Sequence, residues 1–127
     1  MSSSAFPQAA TIEQLRQNIA TIRARIDQAC LAAGRDPSSV RLLPVSKTHS
    51  SEYLRLAYAA GCRMLGENKV QEAHQKWQEL DDLTDLEWSV IGHLQTNKAK
   101  YVARFASEFH ALDSLRLAQA LDQRLTI

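Results

Sequence analysis

The chain has 127 residues, 45% of them apolar and 23% charged, and a formal net charge of +1. This is the composition of one water-soluble domain with its own core, and so small a net charge excludes a strong pull on nucleic acid or on an anionic membrane. The longest apolar runs are a few residues, against the roughly 20 that a membrane span needs, and the opening MSSSAFPQAA lacks the basic start and apolar core of a secretory signal.

A cytoplasmic protein is expected. Cys30 and Cys62 form neither a C-x-x-C pair nor a ligand cluster, so they are expected to be reduced thiols rather than a disulfide or a zinc site. Residues 1–10 are small and polar with a proline, and disorder is expected there. Thr11 and Gln14 then have the form of a capping box, and Ile12, Leu15, Ile19, Ile22, Ile26 and Ala33 recur at helical steps. One long amphipathic helix is predicted, stopped by Gly34 and Pro37. The run Val40-Arg41-Leu42-Leu43-Pro44-Val45-Ser46-Lys47 is too short for a helix and nearly all apolar, as in a strand covered on both faces. Pro44 inside it lacks an N–H, which costs a ladder bond unless the strand is locally an edge or bulged.

Helix then alternates with strand. Ser51 to Ala60 reads as a helix ending on Gly61, Arg63 to Gly66 as a weak strand, and Asn68 to Leu80 as a helix with Val70, Ala73, Trp77 and Leu80 on one face. Leu86 to Ile91 reads as a strand, Thr96 to Ala106 as a helix, Glu108 to Leu112 as a strand, and Ser114 caps a last helix carrying Leu117, Ala118, Leu121 and Leu125. Strands beginning about every 22 or 23 residues, each followed by a helix, are the mark of repeated βα units and a parallel sheet. No G-x-G-x-x-G or P-loop follows any strand, which counts against an open nucleotide-binding sheet. The reading is an α/β fold: a long N-terminal helix and four βα units, the amino-terminal half of a TIM (β/α)8 barrel over residues 11–127. Such a half is either a fragment or associates with another half through its exposed sheet edges.

In a barrel the chemistry sits on the loops after the strands. Lys47 stands at the first of these ends, and counting by twos places Val45 and Leu43 on its face. If that face is buried, an unpaired ammonium there is costly, which favours a neutral amine able to attack a carbonyl. The position reads equally as a lysine that reaches out to solvent. Asn68 reads first as a helix N-cap and second as a donor aimed at the barrel mouth. His93, after Gly92, reads first as a structural hydrogen-bonding group, with Gly92 permitting close backbone approach to a ligand. His49, His74 and His110 show no metal-ligand spacing with it, and Lys98, Lys100 and Arg104 form a basic helix face read as solvated surface.

The segments RLLPVSKT, AAGCRMLGENKVQEA and LEWSVIGHLQTNK, in this order, resemble the YggS/PROSC family of pyridoxal 5'-phosphate (PLP) homeostasis proteins over roughly Ile12 to Arg124. That family resembles the barrel domain of alanine racemase, a fold-type III PLP enzyme. The resemblance implies that Lys47 holds PLP as a reversible Schiff base, and that Asn68, in GEN, and His93, in IG-x-LQ-x-NK, line the cofactor pocket. It departs from the family at Pro44, where alanine is common, and at His93, where proline is frequent. Family members are also longer, and the remaining length is expected to hold the phosphate-binding loops that barrels place after their last strands; weaker PLP binding by this half is therefore expected. The implied function is to store or deliver PLP to PLP-dependent acceptor enzymes, with no turnover activity. The alternatives are an amino-acid racemase, which needs a second base opposite the cofactor, a cofactor-free Schiff-base aldolase acting through Lys47, and a half that binds nothing and self-associates.

Overall fold

A computed structural model describes residues 11–126, so the disorder expected of residues 1–10 lies outside the described residues. The capping box forms as the sequence dictates: Thr11 Oγ1 accepts from Gln14 N–H, and Gln14 Oε1 accepts from Thr11 N–H, each at 3.2 Å. Helix α1 (Ile12–Ala32) follows, and the chain leaves it through Gly34 at φ +69°. Leu15 and Ile19 of α1 pack on the core.

The next long element is α2 (Ser51–Ala59), capped by Ser50. Then come β1 (Met64–Glu67), α3 (Val70–Glu79), β2 (Glu87–Val90), α4 (Ala99–Phe105), β3 (Glu108–Phe109) and α5 (Leu115–Leu125). The three strands pair in parallel and in chain order, Met64 opposite Glu87 and Ser89 opposite Glu108. Ser114 Oγ accepts from Leu117 N–H at the start of α5, so the predicted cap is in place. The predicted Thr96–Ala106 helix divides into a 3-10 turn, Thr96–Lys98, and α4. Asn68 does not cap α3; the cap position is Lys69, which offers no side-chain bond.

The expected strand over residues 40–47 is reduced to one parallel bridge, Val45 to Gly66. Two ladder bonds make it, Gly66 N–H to Pro44 O at 2.7 Å and Ser46 N–H to Gly66 O at 2.9 Å. In a parallel ladder the next bond would run from residue 44 N–H to Met64 O, and Pro44 has no N–H to give. Pairing stops there. The bridge with α2 is nonetheless a βα unit, so four units are present, as expected of half a barrel.

The sheet has a helix-covered face and an inner face. On the first, Leu65 and Trp88 pack with Leu54, Ala57, Leu80 and Leu86, and Val90 packs with Val70, Leu94, Val102 and Leu117. Burying each such leucine or valine stabilises by about 1.5–3 kcal/mol. By the period of two, Met64, Gly66, Glu87, Ser89 and Glu108 point to the inner face, and the bridge places Val45 there too. Val45 is 46% exposed, so the first strand is not covered on both faces.

Candidate functional site

Lys47 lies where the alternation puts it, two residues beyond Val45 at the C-terminal end of the strand segment. It is exposed, which corrects the expectation of a buried ammonium and removes the desolvation argument built on it. Burial depends on what covers the inner face, and that is not written in the local sequence.

The turn that carries Lys47 is held firmly. His49 N–H donates to Ser46 O at 3.2 Å, closing a reverse turn with Lys47 and Thr48 at its centre. Thr48 sits at φ +68°, a left-handed conformation that costs a β-branched residue of order 1–3 kcal/mol. Beneath the turn is a lysine that sequence reasoning missed. Lys76 is 5% exposed, and its Nζ donates to Ser46 O at 2.9 Å, Glu67 Oε2 at 2.9 Å and Glu72 Oε2 at 2.7 Å. Those three acceptors use all its N–H donors. Glu72 Oε2 also accepts Thr48 N–H at 2.9 Å. Bonds from Lys76 and then from Thr48 hold the Glu72 carboxyl below the usual carboxylate range. Glu67, wholly buried, takes a short hydrogen bond from Ser46 Oγ, while its Oε1 has no protein partner.

Asn68 and His93 come together on the next two loops. With Lys69, Gln71, Gln95 and Lys98 they line a hollow of about 230 Å³ at the C-terminal ends of β1 and β2. Lys47 does not line it, although the register that pairs Val45 with Gly66 brings residue 47 to the level of residue 68. Gly92 makes a close approach to protein: a Cβ there would lie 2.9 Å from the Cα and carbonyl carbon of Asn68. The His93 side chain is 72% exposed, with Nδ1 3.5 Å from Asp113 Oδ2 on the loop after β3. No ion pair or hydrogen bond engages Lys47 Nζ or the Asn68 amide among the described residues.

The other histidines do different work. His49 stacks on Tyr53 and His110 pairs with Glu108, while His74 packs with Trp77, Tyr101 and Phe105 between α3 and α4, its titration pushed down by burial. Among the described residues no group of three or more His, Cys, Asp or Glu is placed to hold a metal, and no helix is long and apolar enough to cross a membrane. Lys100 and Arg104 are exposed, as read from the sequence, with Lys98 partly buried beside the hollow. Both cysteines are free and buried.

No family model matches the chain. It is 46% identical over 110 residues to the pyridoxal phosphate homeostasis protein of Pseudomonas aeruginosa, an alignment covering 87% of this chain and 47% of that protein. It is 42% identical over 108 residues to the protein of that name from Aquifex aeolicus, covering 85% of this chain and 47% of the relative. Among solved structures it superposes on PipY of Synechococcus elongatus with PLP bound, with a TM-score of 0.76 and 40% identity over 88% of this chain and 48% of PipY. The chain thus spans about half the length of the curated relatives it matches. In sequence the chain is similar to about half of the pyridoxal phosphate homeostasis proteins and in fold to about half of PipY, as the amino-terminal half of a (β/α)8 barrel.

Proposed function

We propose that residues 11–127 form a PLP-binding half-barrel that serves PLP homeostasis, with Lys47 as the covalent attachment point and Asn68 and His93 lining the pocket. The observation that carries this reading is an amine with no partner among the described residues, at the strand end facing the inner side, in a chain 40% identical to a protein solved with PLP bound. The donor set fits the aldehyde end of PLP: a free primary amine, a free amide and an exposed imidazole stand on successive strand ends. PLP, when bound, supplies an aldehyde that an amine attacks reversibly, so one lysine can both hold the cofactor and release it.

Within that chemistry Lys47 contributes the nucleophile and Asn68 a neutral donor and acceptor. His93, tethered to Asp113, contributes a ring at the rim. Holding and release, rather than turnover, is the reading favoured by the names of the relatives, and transfer to PLP-dependent acceptor enzymes in the cytoplasm completes it.

The test is to mix the purified chain with PLP, record the visible spectrum, reduce with borohydride and map the modified peptides by mass. Label concentrated on Lys47, and absent from Lys47→Ala, is expected. Label scattered over surface lysines would overturn the reading.

A further inference from the structure

The buried Lys76 is not explained by the proposed cofactor site, which it does not touch. An ammonium 5% exposed on a helix face otherwise made of Ala73, Trp77 and Leu80 is costly, because a buried ion loses its hydration before its partners compensate. A methionine of similar length would fill the same space at no such cost. What the ammonium adds is direction. One of its bonds reaches Ser46 O, the carbonyl just before Lys47, and another fixes Glu72, whose same oxygen takes the N–H of Thr48, just after Lys47. Ser46 is gripped a second time through its N–H to Gly66 O. The backbone on either side of Lys47 is therefore anchored to α3 and β1, and only its side chain is left free.

The turn needs such an anchor. Thr48 at φ +68° would leave that conformation if nothing opposed it, since a β-branched residue prefers negative φ. Glu72 opposes it by accepting the Thr48 amide in the left-handed geometry, and Lys76 holds Glu72 in place.

We propose that Lys76 and Glu72 are positioning residues which clamp the Lys47 turn, so that its amine is presented in one orientation to a carbonyl ligand. This rests on the proposed role of Lys47. The two residues act on the backbone on either side of that lysine, Lys76 through Ser46 O and Glu72 through the Thr48 N–H.

Amide hydrogen exchange and aldehyde labelling test it together. In Glu72→Ala the Thr48 amide is expected to exchange about tenfold faster, the usual worth of a bond to a charged group, while helix content by circular dichroism is retained. Glu72→Gln keeps an acceptor and is expected to keep most of the protection. In the same variants, the ratio of PLP label on Lys47 to label on the exposed Lys100 is expected to fall several-fold for alanine and to recover for glutamine. A merely structural role would not move that ratio selectively. Unchanged Thr48 exchange in folded Glu72→Ala overturns the clamp, and so does an unchanged labelling ratio. Lys76→Met, if folded, should behave as Glu72→Ala; if it does not fold, the Glu72 pair decides alone. Should the unsubstituted chain show no preference for Lys47, the function proposed above fails, while the exchange comparison, which uses no PLP, still decides whether the turn is clamped.

Discussion

At Gly92 the backbone of the loop after β2 lies directly against that of Asn68, with no room for even a methyl group. A Cβ 2.9 Å from two backbone carbons cannot be relieved by turning a side chain, so one loop must move. Gly92→Ala is expected to destabilise the chain by about 1–3 kcal/mol, the range for overpacked sites, and to spread the Asn68–His93 hollow. Urea denaturation measures the first, and altered exchange of the His93 and Leu94 amides the second; an unshifted midpoint would show that the loops are not in fact wedged. A glycine in sequence says that something can come close without saying what, so the contact with Asn68 was not legible there. Lys76 was harder to see. Its i,i+4 spacing from Glu72 looks like an ordinary solvent-exposed pair, yet it lies three residues after Ala73 and four before Leu80, inside the apolar stripe of α3. That position within the stripe was the available signal.

The elements were legible in proportion to how local their causes are. Capping is decided within four residues, and the Thr11–Gln14 box and the Ser114 cap stand where the sequence put them, whereas the cap expected of Asn68 falls one residue on, at Lys69, without a side-chain bond. Strand length depends on a partner far along the chain, and there the reading overran: six expected residues at Leu86–Ile91 become Glu87–Val90, and the run to Leu112 ends at Phe109. The first strand shows the cause plainly, since one missing N–H at Pro44 limits it to a bridge. Pro44→Ala is therefore expected to add a protected amide at residue 44, bonded to Met64 O, visible as slowed hydrogen exchange. Overall stability should change little, because the ~1 kcal/mol gained from a hydrogen bond is offset by the greater freedom of the unfolded chain. A residue 44 amide that exchanges at the unprotected rate would show that something other than the proline ends the strand.

Across the whole sheet, one charged contact ties its two flanks together. Arg41, before the bridge, forms two bonds to Glu108 of β3, 2.6 Å and 2.9 Å, reaching over the inner face past β1 and β2. Arg41 first, and then His110, pull the Glu108 carboxyl from its ordinary 4.5 down to about 2. A carboxylate whose folded-state value is depressed stabilises the fold fully above its unfolded value and loses that contribution as pH falls through the folded one. The contact should therefore strengthen the fold at neutral pH and fade between about pH 4.5 and pH 2. Other carboxylates titrate in the same range, so the difference between the chain and Arg41→Met is the informative quantity. Urea midpoints of the two should be well separated at pH 6 and should converge toward pH 2, with added salt narrowing the gap at pH 6 because the Arg41 side of the pair is exposed. A gap that stays constant with pH would mean that Arg41 acts through packing alone. In that event the tie between the flanks of the sheet would owe nothing to charge, and the sheet would be held by the helices packed behind it.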